Sequence, residues 1–158
     1  LASLFQSVTP RTAGFNTIDI AGLSESSSIL TMLLMFIGGS PGSTAGGIKT
    51  TTMVVLILGT VSASKRDEDL IVFKRRLEDT ALKRACSIAF IYASAALVST
   101  LIICALQPFS IKQALFEVLS AEGTVGLTTG ITQELNALSK LIITFLMYGG
   151  RVGGLRWH

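Results

Sequence analysis

Two short stretches place residue types in an order that could coordinate an ion. Thr12-Ala13-Gly14-Phe15 and Thr124-Val125-Gly126-Leu127 each read Thr, a small or compact residue, Gly, then a bulky residue, and each ends an apolar run. An extended strand of this kind, set after a short helix, can aim backbone carbonyls at a dehydrated cation. Glycine supplies the backbone freedom such a strand needs. Two copies in one chain suggest a site assembled from repeats.

The flanking sequence supplies the elements that would hold these stretches. Ser110-Ile111-Lys112-Gln113 is a capping-box pattern, with Ser110 as N-cap and Gln113 at the third helical position. The apolar run from Ala114 to Ala121 then stops at Gly123. At roughly eleven residues this helix is too short to cross a bilayer and reads as re-entrant. Its C-terminus would direct partial negative charge at the pore axis, which favours a cation. In the first half, Leu1 to Val8 reads as the tail of a matching helix and Thr12 to Asn16 as the strand. Ile18 to Ser28 reads as an external loop and Ile29 to Ile37 as a descending helix. That helix is expected to break over Gly38 to Gly47 and resume at Met53 to Leu58. After the second strand, Ser139 to Tyr148 begins a further helix, expected to be interrupted at Gly149-Gly150. The glycine breaks and the two strands repeat at the same offset to within one residue, the mark of an internal repeat.

Composition sets the medium. The chain has 158 residues, is 49% hydrophobic and only 15% charged, with a mean hydropathy of +0.62. Soluble domains carry about a quarter charged residues, so the balance points to lipid. Ala85 to Leu106 contains no charge and is long enough to span the hydrocarbon core. Its Ser87, Ala89, Ser94, Ala95 and Ser99 would let neighbouring helices approach. Seven of the thirteen Lys and Arg residues lie between Lys65 and Arg84, which marks that connector as cytoplasmic. Acidic residues interleave there, so nucleic acid is not an expected partner. Leu70-Ile71-Val72-Phe73 predicts a small hairpin or strand within the connector. Cys86 and Cys104 would stand roughly 27 Å apart on one helix, too far for a disulfide. The chain starts at Leu1 inside the first motif, so the reading is of a piece of a longer protein.

Two motifs point elsewhere and fail. Gly38-Gly39-Ser40-Pro41-Gly42 fits a hydrolase nucleophile elbow, but the one histidine is His158 at the chain end. Gly42 to Thr50 nearly spells a phosphate-binding loop, yet Ile48 breaks its register. No Cys/His cluster has metal spacing, and neither an enzyme nor a bound metal is expected beyond a transported ion. Residues 38 to 52 read better as a helix break at membrane depth, able to act as a movable plug or to serve as a static kink.

The stretches Val8 to Thr17, Gly39 to Thr50 and Gly123 to Leu127 resemble the Ktr-type potassium-uptake membrane subunits, the KtrB family, within the Trk/Ktr/HKT superfamily. The resemblance covers essentially the whole chain. It implies an all-α integral membrane protein with four M1-P-M2 repeats, each a helix, a re-entrant pore helix with filter, and a second helix. Residues 1–64 would then be the pore loop and broken M2 of the third repeat, 65–84 the cytoplasmic connector, and 85–158 the fourth repeat with a truncated M2. By the same resemblance, Gly14 and Gly126 match filter glycines. The carbonyls of Thr12, Ala13, Thr124 and Val125 join theirs, with Phe15 and Leu127 closing each filter. Gly38, Gly39, Ser40, Pro41, Gly42, Ser43, Thr44, Ala45, Gly46, Gly47 and Lys49 match the intramembrane gating loop. Arg151 matches a basic residue below the filter, either a pore barrier or one half of a structural ion pair.

The family implies potassium transport, with sodium as an activator and no covalently bound cofactor. It also implies a homodimer in lipid, a cytoplasmic ring of nucleotide-binding subunits, and a multi-pass place in the bacterial plasma membrane. The alternatives are a proton-coupled Trk-type subunit and a non-conducting membrane assembly subunit. Arg11 and Glu122 directly precede the two strands; one physical option is that they brace them from behind through ion pairs, with the partners left open by the sequence. Leu155-Arg156-Trp157-His158 departs from an apolar last helix.

Overall fold

A computed structural model describes residues 2–16, 19–40, 45–65, 71–72, 75–76 and 79–155. The chain runs through α1 (Ala2–Val8), α2 (Glu25–Phe36), α3 (Thr50–Lys65), β1 (Ile71–Val72), β2 (Arg75–Arg76), α4 (Asp79–Leu106), α5 (Ile111–Glu122) and α6 (Ala137–Leu155), with one 3₁₀ turn at Ile131–Gln133. The expected connector hairpin is present. Its strands pair antiparallel, Ile71 opposite Arg76 and Val72 opposite Arg75.

The short helix α5 is the most buried of the helices whose buried residues are described. Helix α5 packs against α2, α4 and α6, and Ala114, Phe116, Val118, Leu119 and Ala121 are all in the core. Met32 and Met35 of α2, Ala96 and Ile103 of α4, and Ile143 and Leu146 of α6 close around it. The capping box forms as expected: the Gln113 N–H donates to Ser110 Oγ at 3.3 Å, and the Ser110 N–H donates to Gln113 Oε1 at the same length. An ion pair from Lys112 to Glu25, 3.0 Å long, ties the start of α5 to the start of α2.

Helix α4 behaves oppositely. Thr80–Leu106 has a mean hydropathy of 2.2 and only 22% of its most apolar window is buried. Phe90, Ile91, Leu97, Val98 and Leu101 are turned outward. At 1.5 Å per residue it spans about 40 Å, more than a hydrocarbon core. Among the described residues it is the one helix long and apolar enough to cross a membrane; α2 and residues 50–62 of α3 are shorter apolar helices.

Three boundaries differ from expectation. Helix α2 starts at Glu25 rather than Ile29, because Ser24 caps it by accepting the Ser27 N–H at 3.3 Å. Helix α3 resumes at Thr50, three residues before the apolar run begins. Helix α6 is not interrupted at Gly149-Gly150; it continues to Leu155. Gly150 and Gly153 serve close approach and not a break. A Cβ on Gly150 would overlap the Glu122 carbonyl, and one on Gly153 would meet the Tyr92 hydroxyl at 2.6 Å. Small residues in this position let helices pack backbone to backbone in lipid.

Candidate functional site

The first loop leaves α1 through Thr9 and Pro10, both buried. Three successive amides converge on Thr9. Ala13 and Gly14 donate to its carbonyl at 3.1 Å, and Phe15 donates to its hydroxyl at 3.0 Å. The hydroxyl donates back to the Phe15 carbonyl, also at 3.0 Å. Across a trans peptide the N–H and the preceding carbonyl point in opposite directions, and the described residues contain no cis bond. The carbonyls of Thr12, Ala13 and Gly14 therefore all point away from Thr9. A regular strand would alternate them. Left-handed backbone at Thr12 (φ 68°) and Gly14 (φ 71°) turns the peptides over. At a threonine this conformation costs about 1–2 kcal/mol and persists only where surroundings impose it.

The second loop repeats the pattern. Gly123 closes α5; the Thr124 amide donates to the Ala121 carbonyl at 3.0 Å and the Val125 amide to that of Ser120 at 2.8 Å. The Gly123 and Thr124 carbonyls thus leave the helix end. Thr124 (φ 53°) and Gly126 (φ 91°) are left-handed at the same spacing as Thr12 and Gly14. The two loops also meet: a Cβ on Gly14 would overlap the Val125 carbonyl oxygen. Gly126 is exposed, and a Cβ there would touch nothing within 4 Å. Its backbone alone asks for glycine.

The α2–α3 connection lies against the second loop. Its neck is closed by the Gly38 amide donating to the Ile48 carbonyl at 2.8 Å and the Thr50 amide donating to Gly39 at 3.3 Å. From this neck the Gly46 amide reaches the Thr124 hydroxyl at 3.0 Å. A Cβ on Gly46 would crowd Thr124, and one on Gly47 (φ 74°) would come within 3.4 Å of the Gly123 Cα. The helix break predicted here is real, and its Gly46 and Gly47 lie against the second loop.

The TrkH family of cation transport proteins matches residues 1–157. The chain belongs to the TrkH family. Potassium/sodium uptake protein NtpJ of Enterococcus hirae is 43% identical over 155 residues, covering 96% of this chain and 34% of that protein. Ktr system potassium uptake protein B of Bacillus subtilis is 37% identical over 154 residues, covering 98% and 35%. Its namesake in Vibrio alginolyticus is 35% identical over 157 residues, covering 98% and 34%. The chain spans about a third of the length of each of these relatives. All three are named for uptake and none for an enzyme activity.

Within this TrkH-family chain the predicted residues separate into groups. Thr12, Ala13, Gly14, Thr124, Val125 and Gly126 gather at the contact between the two loops. The bulky residues that follow do not match: Phe15 is 67% exposed whereas Leu127 is buried in the core. Gly38, Gly39, Gly46, Gly47 and Lys49 cluster at the neck with Ser40 and Ala45 beside it, while Pro41, Gly42, Ser43 and Thr44 lie outside the described residues. Arg156, Trp157 and His158 do as well. Arg151 follows Gly150 on α6 and is exposed. Arg11 is exposed too, whereas Glu122 is buried, with Oε2 lacking a hydrogen-bond partner. Oε2 belongs to a residue lining a cavity of about 480 Å³ with Tyr92, Ser99, Gly150 and Gly153. Sequence reasoning weighed Arg11 and Glu122 and passed over Thr9 and Glu117. Glu117 had a legible signal, since a carboxylate inside the apolar run of a helix expected at membrane depth marks a functional candidate.

Proposed function

We propose that this chain forms half of a four-part potassium pathway within a longer uptake protein. The observation that carries the reading is the convergence of three amides on Thr9, which turns three successive carbonyls outward, together with the same left-handed Thr and Gly spacing at 124 and 126. Outward carbonyls replace a cation's hydration shell, and the contact between Gly14 and Val125 brings two such rows together. Residues 1–64 supply the pore loop and broken M2 of a third repeat, 65–84 a cytoplasmic connector, and 85–158 a fourth M1-P-M2 repeat. The connector's basic residues favour the cytoplasmic side, in a protein that crosses a bacterial inner membrane several times. Potassium is the transported ion. Sodium acts as activator, in keeping with a relative named for potassium and sodium uptake.

Residues 38 to 49 act as the gate, supported by the Gly46 to Thr124 hydrogen bond. Arg151 contributes a positive charge below the filter. The assembled protein is a homodimer on a ring of nucleotide-binding subunits, as the relatives' family resemblance implies. The second reading is a proton-coupled Trk-type subunit, and the sodium dependence of uptake separates the two.

The test uses the full-length transporter reconstituted in liposomes. Gly14→Ser and Gly126→Ser should each lower potassium-over-sodium selectivity. Unchanged uptake kinetics and selectivity in both proteins would remove the filter assignment.

A further inference from the structure

The two loops share a backbone pattern but are held by different chemistry. In the first, a neutral threonine, Thr9, gathers the amides. In the second, the outer half is held by Glu117, which lies midway along α5 and is 6% exposed. Its Oε1 accepts from the Thr128 hydroxyl, the Thr129 amide at 2.9 Å and the Thr129 hydroxyl at 3.3 Å. Its Oε2 accepts from the Thr132 hydroxyl at 2.7 Å. Thr128 and Thr132 hydroxyls lie 2.8 Å apart, and the Gly130 amide donates to Thr128 Oγ1 at 2.9 Å.

Desolvating a carboxylate is costly unless its lone pairs are satisfied. Four donors satisfy this one, and charge-assisted bonds are about twice as strong as neutral ones. Packing does not hold the segment by itself, because Gly126, Thr128 and Gly130 border a cavity of about 380 Å³. The strand is thus tied to one rigid helix at both ends, by the Ser120 and Ala121 carbonyls below and by Glu117 above. Gly126 sits between these ties, and a Cβ added there would touch nothing within 4 Å. The bond from the Thr129 amide also turns the Thr128 carbonyl away from α5.

We infer that Glu117 is a positioning residue that sets ion selectivity by fixing the geometry of the strand Thr124–Thr128, acting as a hydrogen-bond acceptor and not as a binding charge. The inference rests on the filter reading and adds a specific determinant to it. Glutamine is the discriminating replacement. Its carbonyl oxygen can keep the three donors on Oε1. Its amide can donate to a Thr132 hydroxyl that has reversed, and Thr132 still reaches Thr128.

The experiment measures potassium and sodium uptake by the full-length transporter in liposomes, at matched amounts of folded protein. It compares the parent with Glu117→Gln, Glu117→Leu, Thr132→Val and, as reference, Gly126→Ser. Glu117→Leu should lower the potassium-to-sodium ratio about tenfold, Thr132→Val severalfold, and Glu117→Gln by less than about threefold. Thr132→Val keeps shape and removes a single donor, so it reports even where the Leu protein does not fold. Equal loss of both fluxes at an unchanged ratio in Thr132→Val means a merely structural role and overturns the inference. Glu117→Gln as unselective as Glu117→Leu overturns it too, in favour of charge. A changed ratio in Gly126→Ser with none in the Glu117 and Thr132 variants keeps the filter and sinks the brace alone. An unchanged ratio in Gly126→Ser removes the second loop from the filter, and the brace with it.

Discussion

Gly14 and Gly126 occupy matching places in the two loops, yet the structure assigns them unequal tolerance. Alanine at 126 meets nothing within 4 Å, so the only cost is holding φ near 91° with a side chain present. That is about 1–2 kcal/mol, and 1.4 kcal/mol is a factor of ten. Alanine at 14 incurs the same cost at φ 71° and in addition drives its Cβ into the Val125 carbonyl. That obstacle is backbone and cannot rotate aside. Overpacking of this kind adds about 1–3 kcal/mol, for a total of roughly 2–5 kcal/mol. Gly126→Ala should therefore weaken apparent potassium affinity about tenfold, and Gly14→Ala by about another factor of ten or more. Potassium uptake into liposomes across a concentration series reads the affinities, with size-exclusion profiles in detergent to match folded protein. Gly126→Ala as damaging as Gly14→Ala, or more so, would refute the reasoning, because it would deny the contact between the loops.

The neighbouring glycines of α6 should also part company. Gly149→Ala faces open space and replaces a poor helix former, so a stabilisation of about 0.5–1 kcal/mol is expected. Gly150→Ala collides with the Glu122 carbonyl and should lower the thermal unfolding midpoint in detergent; equal midpoints would deny the close packing of α6 on α5. At the gate, deleting Ser40 to Gly46 should increase flux, and Thr124→Val, which removes the acceptor for the Gly46 amide, should do so more weakly. Flux at the parent level in the deletion protein would reduce the loop to a kink.

The parts of the fold set by local chemistry were readable. Ser110 and Gln113 announce the start of α5, Gly123 its end, and the uncharged run after Arg84 the long helix. The break after Ile37 was readable from glycine and proline density. The course of α6 was not. Gly149-Gly150 looks like Gly38-Gly39 in one dimension, but only packing tells a glycine that bends from one that admits a neighbouring backbone. At the proposed site, the Thr and Gly spacing marked the positions where the backbone turns left-handed. The contact between Gly14 and Val125, and the role of Thr9, depend on partners more than a hundred residues apart or on backbone angles that no side chain announces. Glu117 lay in view but was masked by Glu122, which sits nearer to the strand in sequence.

The hydrogen bond between the Gly46 amide and the Thr124 hydroxyl has a thermodynamic consequence. Displacing residues 45–47 strips that hydroxyl of its donor, next to the carbonyls of the second loop, so the displaced and docked states cannot share one ion affinity. Linkage is reciprocal: whatever factor the docked loop adds to ion affinity, a bound ion returns to the stability of the docked loop. Where the docked loop raises ion affinity, an ion held at the proposed filter would keep the loop seated, and the rate at which the loop lifts would fall as potassium rises.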